Sequence, residues 1–203
     1  MAVETINGFI AESERAPDIT WPFGLEVARS IDLNRLTTAV RLANRRIFDE
    51  GSRHAEWYGM GTTVVAVLIL GDRLMLASVG DSRIYRYRGG SLEQLTKDDT
   101  WLNSVLGAKQ AEDAEASHPL RHVLTSVVGT RDDVKPGARE ERLHKGDMFV
   151  MCTDGVHGRL DNAAFVTVLA GAPDSEQRAI RLVDEALTRG TSDNATALVI
   201  TIS

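Results

Sequence analysis

Hydrophobic positions change their period twice along this chain. Val3, Ile6, Phe9 and Ile10 recur at helical spacing, and so do Leu36, Val40, Ala43 and Ile47. Each set predicts an amphipathic helix with one apolar face. Asp32 is placed to cap the second helix and Gly51 to stop it. Between them, Glu14 to Gly24 reads as a loop marked by Pro17, Pro22 and Gly24. From Thr62 the pattern is that of strands. Thr62 to Leu70 is a nearly unbroken β-branched run, which predicts a strand at the centre of a sheet, covered on both faces. Gly71-Asp72 turns the chain, and Leu74, Leu76 and Ser78 then alternate with Met75, Ala77 and Val79. After a break at Gly80-Asp81, a third strand holds Ile84, Tyr85 and Tyr87. Gly89-Gly90 then leads to a fourth over Leu92 to Leu95. Four strands joined by tight turns predict a single antiparallel meander, with one face free for a partner layer.

The second half returns to mixed periods. Trp101 to Ser117 is rich in Ala and Glu and fits no element, and Leu120 to Val128 reads as either helix or strand. Arg139 to Leu143 predicts a short strand, Lys145-Gly146-Asp147 a turn, and Met148 to Cys152 a buried strand ending in Thr153-Asp154-Gly155. Helices are expected over Asp161 to Ala170 and Asp174 to Arg189. The latter has Asp174 and Gln177 at capping-box spacing, an apolar face of Ala179, Leu182, Val183 and Ala186, and Gly190 as its stop. Ser192-Asp193-Asn194 leads into a last strand, Ala195 to Ile202.

A length of 203 residues without repeat or long linker predicts a single domain over residues 1–203. The net charge of −6 argues against a nucleic-acid or anionic-membrane surface. An acidic protein that handles phosphate needs a local cation, either Arg or a metal. The one cysteine, Cys152, rules out an internal disulfide framework and suits a reducing compartment. No apolar run reaches the ~18 residues of a membrane helix, and the N-terminus lacks the basic-then-apolar layout of a signal peptide, so a cytoplasmic location is expected.

Candidate chemistry lies where strands end. Asp154 follows an apolar strand and Asp193 precedes one. Carboxylates placed in this way can converge at one end of a sheet and bind a hard divalent cation through oxygen. Asp98, after the fourth strand, is a third candidate. Ordinary turns use the same residues, so each position alone carries little weight.

The combination is more specific. In order, the chain carries Gly59-Met60-Gly61-Thr62-Thr63, Val79-Gly80-Asp81-Ser82-Arg83, Leu95-Thr96-Lys97-Asp98-Asp99-Thr100, Cys152-Thr153-Asp154-Gly155 and Ser192-Asp193-Asn194-Ala195-Thr196. This series resembles the metal-dependent protein serine/threonine phosphatases of type 2C (PPM-type), in their bacterial form. The resemblance spans about residues 1–202. It implies an α+β fold, an αββα sandwich of two antiparallel sheets flanked by helices. It also implies a site of two or more Mn2+ or Mg2+ ions, with Asp154 and Asp193 as core metal ligands and Asp98 as the residue matching a third metal. Asp81 and Arg83 match a structural turn, and Ser117 falls in a flap segment near substrate. Phosphorylated proteins are the implied substrates, with a bacterial Ser/Thr kinase as the opposing partner. The chemistry suits such ions: two cations can neutralise a phosphomonoester dianion and activate a water, so no protein nucleophile is needed.

One part of the family pattern is missing. An Arg with acidic residues on the first strands, and an Asp-Gly-Met-Gly-Gly-His-like motif carrying the metal-bridging Asp, are not found in this sequence. Tyr58-Gly59-Met60-Gly61 lacks the Asp. The chain therefore reads as a phosphatase domain truncated before Met1, with weak or no activity expected as written. A catalytically incomplete domain acting as a binding or regulatory module is the alternative. Other residues add little. Cys152 belongs to a core strand, and His54, His118, His122, His144 and His157 lack ligand spacing, His157 suiting a surface or supporting role near Asp154. Gly59, Gly61 and Gly89-Gly90 do not precede helices and so form no phosphate cradle. Arg45-Arg46 reads as a solvated helix face.

Overall fold

The computed structural model describes residues 1–16, 20–106, 120 and 123–203. In chain order the elements are α1 (Ala2–Arg15), α2 (Ile31–Arg53), a single 3-10 turn (Ala55–Trp57), β1 (Val64–Leu70), β2 (Arg73–Val79), β3 (Arg83–Arg88), β4 (Ser91–Gln94) and α3 (Trp101–Leu106). They continue with β5 (Gly137–Arg142), β6 (Met148–Cys152), α4 (Asp154–His157), α5 (Asn162–Gly171), α6 (Ser175–Thr188) and β7 (Ala197–Thr201). The chain forms two compact units. One comprises residues 1–80 with 98–141, the other residues 81–97 with 142–203.

The first unit sets the helices α1 and α2 with a three-stranded sheet of order β1-β2-β5. The predicted apolar face of α2 is its buried face: Leu36, Val40 and Ile47 pack with Met75, Ala77 and Val79 of β2. The ends of α2 differ from expectation. Ser30 is the N-cap, its Oγ accepting from the Leu33 N–H at 3.2 Å. Asp32 instead turns to Arg35 (2.8 Å) and Arg73 (2.7 Å), where a carboxylate in the first turn also meets the positive end of the helix dipole. Gly51 lies inside the helix, because the chain folds back so closely that a Cβ there would sit 3.1 Å from the Trp57 carbonyl oxygen. The same network extends to β5. The Ser30 hydroxyl, joined by Arg73 and opposed by burial, holds the Glu140 carboxyl below its usual range.

Two sheet expectations are corrected. The strand covered on both faces is β2, where Leu74, Met75, Leu76 and Ala77 are 0–2 % exposed, not β1. Among the described residues β1 pairs with β2 alone, lies at the edge of this sheet and is mostly half-buried. β-branched residues suit a half-covered pleated surface as well as a fully covered one, so composition alone does not rank the two strands. The predicted single meander is divided at Gly80. This glycine has φ +99°, and a Cβ on it would lie 2.4 Å from Thr63 Cγ2, so only glycine permits the turn. Beyond it, β3 joins the second sheet rather than β2.

That second sheet has the order β4-β3-β6-β7, antiparallel throughout, with Tyr85 opposite Val150 and Val150 opposite Val199. Its core gathers Tyr85, Val150 and Val199 with Phe165, Leu169, Leu182 and Ala186 from α5 and α6. Asp174 caps α6 as predicted, accepting from Gln177 N–H at 2.8 Å, and Asp161 caps α5 in the same way, accepting from Ala164 N–H at 2.8 Å. Beneath the turn before β6, Asp147 is buried and takes two hydrogen bonds from Arg88, at 2.6 and 2.7 Å. No helix among the described residues is long and apolar enough to cross a membrane.

Candidate metal site

β6 and β7 pair down to Cys152 opposite Ala197, and the two chains then stay together past the end of the ladder. Thr153 N–H donates to the Thr196 carbonyl at 3.1 Å. The Thr153 hydroxyl donates to the Asn194 carbonyl at 3.2 Å and accepts from Thr196 N–H at 3.0 Å. Gly155 closes the contact, since a Cβ there would meet Asn194 O at 2.4 Å. The backbone carrying Asp154 is thereby held against the backbone carrying Asp193.

Each of these carboxylates spends one oxygen locally. Asp154 Oδ1 accepts from Gly155 N–H at 2.9 Å, and Asp193 Oδ1 accepts from Asn194 N–H at 2.7 Å. Neither forms an ion pair among the described residues. Asp154 is half-buried and Asp193 exposed. Two carboxylates on adjoining segments, with no side-chain cation between them, form a hard-oxygen donor set that suits one divalent cation completed by water. A two-ion site needs more donors: among the described residues no three His, Cys, Asp or Glu side chains are grouped so as to hold a metal.

The other expected residues are placed as follows. Asp98 belongs to the first unit and is 4 % exposed, with its carbonyl accepting from Asn103 Nδ2 at 3.0 Å. Its neighbour Asp99 stitches that unit together. Its carboxylate accepts from Gly80 N–H at 3.0 Å, and its carbonyl from Thr125 N–H at 2.7 Å. Cys152 is buried in the core of the second unit. His157 Nε2 donates to the Asp81 carbonyl at 3.0 Å and ties α4 to the Asp81 turn. Arg83 Nη1 donates to the Tyr85 hydroxyl at 3.2 Å. Ser117, His118 and His122 lie outside the described residues.

Thr153 is the residue that motif reading passed over. The only signal was its place between an apolar strand and Asp154, where Ser and Thr commonly bond to nearby backbone. Thr153→Val keeps the shape but removes both side-chain hydrogen bonds. It is expected to lower stability by about 1–2 kcal/mol and to weaken Mn2+ binding by roughly tenfold, the low end for loss of a supporting hydrogen bond. Urea unfolding and Mn2+ titration of the same variant check the two effects.

Comparison with known proteins bears on the family and the fold. The sequence profile described as Protein phosphatase 2C matches residues 1–189. The chain is 34 % identical over 168 residues to the serine/threonine protein phosphatase PstP of Mycobacterium tuberculosis. That match covers 82 % of this chain but only 32 % of the relative, so the chain spans about a third of that protein's length. Among solved structures, the M. tuberculosis serine/threonine phosphatase PstP/Ppp superposes with a TM-score of 0.78 at 30 % identity, covering 100 % of this chain and 83 % of the other. The catalytic domain of PstP, solved with two manganese ions, gives 0.75 at 28 % identity, covering 98 % and 79 %. Two antiparallel sheets with flanking helices, matching solved structures of this type, define an α+β domain of the metal-dependent phosphatase type. The chain belongs to the Protein phosphatase 2C family.

Proposed function

We propose that residues 1–203 form a single domain that hydrolyses phosphoserine and phosphothreonine in cytoplasmic proteins, opposing a bacterial Ser/Thr kinase. The observation that carries this reading is the Asp154–Asp193 pair. Its two carboxylates are fixed on adjoining backbone by Thr153 and Gly155, with no counter-cation among the described residues. Asp154 and Asp193 hold Mn2+ or Mg2+, and Asp98 serves a further ion. When bound, such ions neutralise the phosphomonoester and activate water. The protein's part is to fix the carboxylates and to keep α4 in place through the His157–Asp81 bond. Cys152 has no role as a nucleophile, because its thiol is buried in the core.

A second reading is favoured by one observation, the lack of a grouped third ligand among the described residues. On that reading the domain binds phosphoproteins as a regulatory module without turnover. The two are separated by incubating the 203-residue chain with a phosphothreonine peptide, with Mn2+ or with EDTA. Slow phosphate release that rises with Mn2+ and stops in EDTA is the expected result. Saturable peptide binding without release would establish the module instead.

A further inference from the structure

The first unit contains a crevice of about 200 Å3, walled by the loop before α2, the first turns of α2 and residues 133–136. Its walls are held rigid. Asn34, 5 % exposed, accepts from Glu26 N–H at 2.9 Å and donates to the carbonyls of Glu26 (3.0 Å), Arg29 (3.3 Å) and Ser30 (3.1 Å), clamping the loop to the helix. Two turns further along α2, Arg41 donates to both oxygens of Asp133, at 3.0 and 2.7 Å, with its guanidinium carbon 4.0 Å from the centre of the Phe23 ring. Arg29 is paired with Glu26 at 3.0 Å.

These bonds commit both arginines and both acids. Two polar groups remain. Thr38 is 3 % exposed and makes no hydrogen bond among the described residues, whereas Thr37 beside it donates to the carbonyls of Leu33 and Asn34, both at 3.0 Å. Its hydroxyl is open to the crevice rather than sealed without a partner. Lys135 lines the same crevice, is exposed and forms no ion pair among the described residues. Phe23, Val134 and Pro136 supply apolar wall. With each carboxylate neutralised by its arginine, Lys135 carries the one uncommitted charge.

We propose that this crevice is a binding site for a small organic monocarboxylate. The carboxylate takes the Lys135 ammonium and the Thr38 hydroxyl, and the apolar body lies against Phe23 and Val134. A phosphate dianion fits less well, because Lys135 offsets only one of its two charges and the described lining residues offer no further unpaired cation.

Benzoate is a suitable probe, with benzamide as its neutral isostere and inorganic phosphate as the dianion. Calorimetric titration of the 203-residue chain is expected to show saturable benzoate binding, accompanied by shifts of the Thr38 and Lys135 amide resonances. Benzamide should bind about tenfold more weakly, since a charge-assisted contact is lost. Lys135→Gln, an exposed and structurally mild change, should weaken benzoate by about the same factor, and Thr38→Val by roughly fivefold. Undetectable benzoate binding would overturn the proposal. So would equal affinity for benzamide, unchanged affinity in both variants, or phosphate that competes with benzoate and binds more tightly.

Discussion

Asp154→Asn and Asp193→Asn, made separately, should each abolish the response to Mn2+ while leaving the fold intact. The fold is spared because asparagine keeps Oδ1, the oxygen that accepts from Gly155 N–H in one case and Asn194 N–H in the other. The charge is what disappears. A hard divalent cation held by two carboxylates and water loses half of its protein charge in either variant. Removing even a supporting partner of a ligand costs ~10–100-fold in metal affinity, so loss of a ligand itself should cost at least 100-fold. Hydrolysis of a phosphothreonine peptide, where it depends on Mn2+, should fall with it. Thermal unfolding in EDTA should match the parent protein, since the pair makes no ion-pair contribution to lose among the described residues. Mn2+ affinity unchanged in both variants would show that the cation binds elsewhere and would remove the basis of the proposed function.

Local elements of this protein were legible because their signals are local. Asp174 caps its helix as its spacing to Gln177 foretold, and the face of Leu36, Val40 and Ile47 is the buried one. What the sequence hid were choices settled by distant partners. Asp32 looks like a cap, but Ser30 takes that role because Arg35 and Arg73 claim the Asp32 carboxylate. Thr62 to Leu70 looks more buried than Arg73 to Val79, yet among the described residues β2 has a neighbour on each side and β1 does not. The division of the strands at Gly80 is set by the approach of Thr63, which no short window of sequence reveals. Motif order singled out Asp154 and Asp193, and the structure holds their backbone segments side by side. The bonds that hold them together run through Thr153 and Asn194, whose backbone contacts carry no sequence signature.

Arg88→Met should be among the most damaging single changes in the second unit, and its effect should reverse with pH. The Asp147 side chain has no exposed surface, while that of Arg88 is 32 % exposed. Burial pushes the Asp147 carboxyl up, but the hydrogen bonds from Arg88 and from His144 N–H outweigh it, and its pKa lies below the usual carboxylate range. In the parent protein the unfolded chain therefore takes up a proton more readily than the folded one. The stabilisation from Asp147 is present in full above the unfolded pKa of about 3.9 and is lost as pH falls through the lower folded value. Without Arg88, burial dominates and the folded pKa should rise above the unfolded one. The variant should then be about 3 kcal/mol less stable at pH 7, the low end for breaking a buried pair because Arg88 is partly solvated. It should regain stability as acid neutralises Asp147, while the parent loses it. Asp147→Asn in the Arg88→Met background removes the buried charge and should recover part of the loss at pH 7. Urea unfolding of the three proteins at pH 7 and at about pH 4.5, just above the unfolded pKa, tests the argument. Parallel losses at both pH values, with no recovery in the double variant, would show that Arg88 acts through its packing and its bond to the Arg142 carbonyl, and not through the charge of Asp147.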